Sequence, residues 1–300
     1  MNIKKCLLCI AINMMIVKSA IANITNPEYK FTDNAIDKNI NPNQEYLTHN
    51  PQESFTHTSR HSFSIGTEIF SYSYKEPGLM KTKGNFYGIN AAYSYCFDDG
   101  LCVQPELSFN KGKENYSSNG TGSVKGIRGR IFEARTLLKK LIPLSESEMA
   151  LHPFIGIGYR YKRDDSFNMI TNSGFGGYLR KSNYYYIPLG LNVDFSLTRE
   201  WSVSVLGEYD FLLKGIQQTY SKIDYVKHRQ NQGYGLRSEV LLNRSFNKHV
   251  LSIGPFINYW NIKQSNAAAN ILNSSGAIRS YSVEPKNTTT ELGIKIKYGF

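Results

Sequence analysis

Charged residues recur at every second position in several stretches of this chain: Glu208 and Asp210, Arg237 and Glu239, Lys295 and Lys297. Glu106, Arg160, Arg180 and Glu291 sit on runs of the same alternating kind. Side chains two apart on a strand share one face, so these residues could line a path for ions or neutralise one another across it. A second set, Asp164 and Asp165 with Asp224 and His228, has the composition of a hydrolytic site, in which carboxylates activate water and an imidazole acts as base. No Asp-x-His pair occurs there, and solvated loop charges are the better reading. None of His61, His152, His228 and His249 has an obvious serine partner at matching depth, which argues against acyl transfer. Cys96 and Cys102 flank a short turn and read as a disulfide across a hairpin base, worth about 2.4 kcal/mol for so small a loop. A metal would need two further ligands that no nearby residue supplies. The expectation is a protein without catalytic, cofactor or metal residues.

The elements that must position these charges are strands. From His61 onward ten alternating runs can be traced, at 62–74, 84–97, 101–112, 128–142, 150–162, 178–195, 200–213, 233–244, 249–263 and 290–300. Most reach the roughly 9 to 11 residues of a tilted transmembrane strand. Short turns fall near Asp98, Ser145, Thr198 and Asn247, and mostly longer links lie at 75–83, 113–127, 163–177, 214–232 and 264–289. That alternation suits a transmembrane antiparallel up-and-down β-barrel with periplasmic turns and extracellular loops. Facing follows from chemistry: a cation on the lipid side at mid-depth costs about 2 to 4 kcal/mol, so the charged parity goes inward. Glu106, Arg160, Arg180, Glu208, Asp210, Arg237, Glu239, Glu291, Lys295 and Lys297 then form a lumen network. Three features strain this scheme. The run from Val250 to Ile262 is apolar on both parities; parity slips near Ile69 and Ile131, which calls for bulges; and Pro105, Pro153, Pro188 and Pro255 each remove a ladder hydrogen bond. Eight or twelve strands remain alternatives.

The start of the chain supplies the export this architecture needs. Met1 to Ala22 has Lys4 and Lys5, a mainly apolar stretch from Leu7 to Val17, and Ala20-Ile21-Ala22 as a small-x-small cleavage site. Residues 23–60, rich in Asn, Thr, Gln and Pro, read as a flexible polar leader, leaving 61–300 as the barrel. The formal charge of +11 falls by three when Lys4, Lys5 and Lys18 leave with the signal. In an exported chain without a recognition motif that basic balance does not point to nucleic acid. It points to outer-membrane lipid and the phosphates of lipopolysaccharide, or to a host or surface polyanion met by loop cations such as Lys75, Lys81, Lys83, Lys113 and Lys214.

The closing segment, Glu291 to Phe300, is apolar at every even position and ends on an aromatic. It resembles the last strand and assembly signal of bacterial outer-membrane β-barrels, with Tyr298 and Phe300 as the residues that barrel assembly machinery would read. Shorter strings are spread along the chain: Glu76-Pro77-Gly78-Leu79-Met80, Gly84-Asn85-Phe86-Tyr87-Gly88, Gly156-Ile157-Gly158-Tyr159-Arg160-Tyr161, Tyr186-Ile187-Pro188-Leu189-Gly190, Glu208-Tyr209-Asp210-Phe211, Tyr259-Trp260 and Glu284-Pro285-Lys286-Asn287. Together they resemble a group of small bacterial outer-membrane β-barrel proteins, porin-like or surface-antigen-like, over about residues 62–300. The resemblance implies fold and location and carries no activity. In size and strand count the chain is also similar to the omptin proteases, but its loop order does not match theirs. The sequence therefore points to a surface protein in a structural or interaction role with a lumen plugged by charged side chains. A narrow porin-like channel is the first alternative, and an omptin-like protease is the second.

Overall fold

The computed structural model describes residues 60–144 and 148–300. The expected signal with its cleavage after Ala22, the leader up to residue 59 and the turn at Ser145 lie outside the described residues. Strands follow one another as β1 (His61–Glu76), β2 (Met80–Cys96), β3 (Leu101–Ser118), β4 (Gly122–Lys140), β5 (Ile142–Leu144), β6 (Met149–Asp165), β7 (Leu179–Ser196), β8 (Trp201–Tyr220), β9 (Asp224–Gln230), β10 (Gly233–Phe246), β11 (His249–Ile262), β12 (Ala268–Leu272), β13 (Ile278–Ser282) and β14 (Asn287–Gly299). Ten of them, β1, β2, β3, β4, β6, β7, β8, β10, β11 and β14, close an antiparallel barrel, with β14 returning to β1. The seam ends in a reciprocal pair, Phe63 N to Phe300 O and Phe300 N to Phe63 O, both 2.9 Å.

Period-two patterning explains the wall. Ile69, Ile89, Leu107, Ile157, Leu189, Leu213, Ile253 and Leu292 all point outward and are exposed, an apolar belt that water would not tolerate and hydrocarbon accepts. Among the described residues no helix is long and apolar enough to cross a membrane, so spanning falls to the strands.

The bulges expected at Ile69 and Ile131 do not occur; both residues lie in unbroken register with their neighbours. What changes there is the surroundings. Beyond Ile69 the outward residues become Ser71 and Ser73 while Phe70, Tyr72 and Tyr74 are buried inward. On β4, Arg128 and Arg130 face out and Ile127 and Ile131 face in. Register shifts instead at Glu114/Tyr116 and at Tyr185/Tyr186. The ninth run also acquires an orientation: Phe256, Trp260 and Ile262 fill the interior, whereas Leu251, Ile253 and Ile257 join the belt.

Each proline keeps one flank and gives up the other. Pro105 pairs with Thr136, Pro153 with Leu191, Pro188 with Asp210 and Pro255 with Ile294. On the opposite flank the ladder skips the proline, as between Ala92/Glu106 and Tyr95/Val103, where the missing N–H leaves nothing to donate.

The expected long links are largely sheet. The first two contract to turns at residues 77–79 and 119–121, with Gly78 in left-handed conformation at φ 79°. The stretches 214–232 and 264–289 contain the end of β8, β9, β12 and β13, which pair with one another past the belt. Outside hydrocarbon both faces of a strand are polar, so the alternation that marks a spanning strand vanishes.

Candidate functional site

Among the described residues the interior gathers most of the buried charge. A cavity of about 1150 Å³ occupies the end that carries His61, Asn247 and Phe300, reaching inward to Glu133, Arg135 and Arg237. A pocket of about 370 Å³ lies at the opposite mouth among Tyr116, Tyr178, Arg180, His228 and Glu284. No residue lines both. Between them stand two aromatic clusters, one of Phe70, Tyr72, Phe86, Ile131 and Phe256 and one of Tyr184, Tyr186, Leu212, Trp260 and Ile262. Glycine makes room for these rings: a Cβ on Gly158 would lie 2.2 Å from the Tyr186 ring, and one on Gly129 would lie 2.5 Å from Phe86.

At membrane depth the charges are joined across the lumen. Arg237 meets Asp210 at 2.8 Å, Glu208 at 3.0 Å and Glu133 at 2.5 Å, and the Tyr186 hydroxyl donates to Glu133 at 2.8 Å. Arg135 links Glu106 at 2.5 Å to Glu208 at 2.7 Å. Arg160 pairs with Glu291, whose other oxygen accepts from Asn258 at 3.0 Å. Glu239 takes both Lys295 at 2.6 Å and Lys297 at 2.7 Å. In the low dielectric of a packed lumen each charge needs such a partner, because an uncompensated buried ion costs several kcal/mol.

Arg180 lies apart from this lattice. It sits at the mouth that holds the smaller pocket, with Glu76 at 2.8 Å, Glu284, and the Tyr74 hydroxyl at 2.6 Å. Nearby, Lys162 bridges Glu114 at 2.6 Å and Asp164, with its ammonium 4.4 Å from the Tyr72 ring centroid. Burial, and then the charge of Asp164, push the Glu114 carboxyl up to about 8. Burial also pushes the Tyr178 hydroxyl up to about 12.

Glu68, Glu114, Glu133, Arg135 and Lys162 were not among the lumen residues expected from sequence. Glu133 and Arg135 carry a readable signal, a charged pair two apart on β4, but it was hidden by the parity slip assumed at Ile131. Tyr298 and Phe300 face outward at the other end, ring centroids 5.8 Å apart, with Phe300 5.2 Å from Phe63. Cys96 and Cys102 are bonded across the β2–β3 turn, where they are also direct ladder partners.

The hydrolytic set does not converge. Asp164 is taken by Lys162, Asp165 lies 2.9 Å from Arg163, and Asp224 lies 2.8 Å from Arg279. His228 is buried with Nε2 donating to the Ser282 carbonyl at 3.1 Å, and the carboxylate beside it is Glu284, at 4.0 Å from Nδ1. At the other rim Asp194 accepts from Ser204 at 2.5 Å and meets His152 at 2.9 Å, so a carboxylate separates serine from imidazole. Among the described residues no group of three or more His, Cys, Asp or Glu is placed to hold a metal ion.

No protein-family model matches the sequence, and no curated protein matches it. Solved structures do. The outer membrane protease OmpT from Escherichia coli superposes with a TM-score of 0.50 at 9% identity, covering 82% of this chain and 100% of that one. The translocator domain of the autotransporter NalP from Neisseria meningitidis gives 0.40 at 8% identity over 82% of this chain and 91% of that one. The toluene transporter TbuX from Ralstonia pickettii gives 0.39 at 9% identity over 84% and 92%. At such identities the likeness is one of fold. The chain has the closed ten-stranded antiparallel barrel of bacterial outer-membrane proteins.

Proposed function

We propose that this chain is a bacterial outer-membrane barrel of the cell surface, shut by its own side chains, that acts through its outer wall and extracellular strands in a structural or interaction role. The observation that carries this reading is a double layer: an ion-pair lattice whose members line the inner end of the larger cavity, and aromatic clusters beyond it, with no residue lining both cavities. A ten-stranded wall is only slightly wider than the eight-stranded case that side chains fill, so a closed lumen is what this circumference favours. The narrow channel alternative requires the Arg237 and Arg160 pairs and the rings above them to part together. The purified chain in liposomes should give no swelling in an isosmotic solution of a small neutral sugar; swelling at the rate of an open porin would overturn the reading.

Catalysis has no part in this proposal. The fold likeness to an outer membrane protease raises the question, and the surroundings of His228 support a non-catalytic reading: its Nε2 donates to the Ser282 carbonyl of β13. No cleavage of a mixed peptide library is expected from the wild-type chain. Cleavage that His228→Ala abolishes would replace this reading with a protease.

A further inference from the structure

We propose that the outer wall of β3, β4, β6 and β7 carries a binding site for the phosphate groups of an outer-leaflet glycolipid, built from Lys111, Arg130, Arg163 and Lys181. The four are consecutive ladder partners, Lys111 with Arg130, Arg130 with Arg163, and Arg163 with Lys181. All point away from the lumen, since the residues on either side of each in its strand are turned to the interior. Like charges set directly opposite on neighbouring strands repel one another, so a row of four is unfavourable until anions lie along it. The protein supplies little of that compensation. Among the described residues Asp165 alone pairs with the row, through Arg163 at 2.9 Å, and neither Lys111 nor Arg130 has a carboxylate within bridging distance.

Depth identifies the anion. The outward residue one step nearer the membrane is Phe109 below Lys111, Phe132 below Arg130 and Tyr161 below Arg163, while on β7 Asn183 comes between Lys181 and Tyr185. The cations thus follow the upper rim of the apolar belt, the level of lipid headgroups. Two are steadied on rings, Lys111 at 5.3 Å from the Tyr87 centroid and Lys181 at 5.1 Å from Tyr220. With strands about 4.8 Å apart, the row runs roughly 14 Å, enough to engage more than one phosphate, and Arg presents the fork that phosphate oxygens match. At the same rim, β10, β11 and β14 offer Tyr234, Tyr259 and Thr290 and no charge, so the site belongs to one side of the barrel.

This inference rests on the outer-membrane reading, and the test separates the two. The full chain is first offered vesicles of phosphatidylcholine; failure to insert would sink the membrane barrel itself. Inserted protein is then extracted and exposed to equal amounts of lipid A and of lipid A stripped of phosphate, and the bound fractions are read by native mass spectrometry. The wild type should prefer the phosphorylated form, and Arg130→Gln with Arg163→Gln should reduce that preference by about tenfold or more, the scale of one or two lost charge-assisted hydrogen bonds. Lys222→Gln with Lys227→Gln should leave it unchanged. Equal binding of the two lipids, an unaltered preference in the Arg130/Arg163 variant, or displacement by inorganic phosphate at the lipid's own concentration would each overturn the proposal.

Discussion

Arg237 is the residue on which the lumen converges, touching Asp210, Glu208 and Glu133 while its guanidinium carbon lies 5.4 Å from the Tyr186 ring centroid. Arg237→Ala leaves three carboxylates without their shared cation and should cost about 3 to 5 kcal/mol, read as a lower urea midpoint for the barrel in detergent micelles. A change under 1 kcal/mol would mean that the lattice is not the septum described here. Glu114 gives a pH signature. Its folded value is pushed up from an ordinary 4.5 to about 8, by burial first and the charge of Asp164 second, with Lys162 opposing both. A raised value means that the folded chain holds a proton the unfolded chain has released. The stabilisation is therefore complete below about 4.5 and is lost as pH rises through about 8. Unfolding free energy should fall across that window, and Glu114→Gln should flatten the fall. A wild-type slope of opposite sign would contradict the placement of Glu114 beside Asp164.

At the scale of elements, the spanning strands were legible because each separates oil from a polar lumen, as β14 does from Leu292 to Phe300. Legibility failed wherever that contrast failed. β9, β12 and β13 are strands with no hydrocarbon on either side, and they read as loops. At Ile69 and Ile131 the outer medium changes from lipid to water while the inner face turns apolar, which imitates a parity slip in an unbroken strand. The same misreading concealed Glu68 on β1 and Glu133 and Arg135 on β4, so most of the lattice was named but one partner of Arg237, Glu133, was not. Distances across the lumen have no local signal at all. Glycine facing an aromatic is the exception, since Gly158 has a reason to be small only once Tyr186 lies over it. Gly158→Ala should displace that ring and destabilise the barrel by about 1 to 3 kcal/mol; stability equal to wild type would show that the ring packs elsewhere.

At the scale of the whole barrel, three surfaces differ in use. The belt suits hydrocarbon; on the proposed reading the cationic row on one wall takes headgroup phosphate and the side chains of the lumen close it. Closure is the claim on which the proposed function depends, because an open lumen would turn the same buried charges into a selectivity path. The direct measurement is planar-bilayer recording of the purified wild-type chain beside Arg237→Ala. Inserted wild type should show no steady single-channel steps at moderate voltage, with steps emerging or becoming frequent in the variant. Stable ohmic steps from wild type, unchanged by loss of Arg237, would contradict the septum and make the chain a channel.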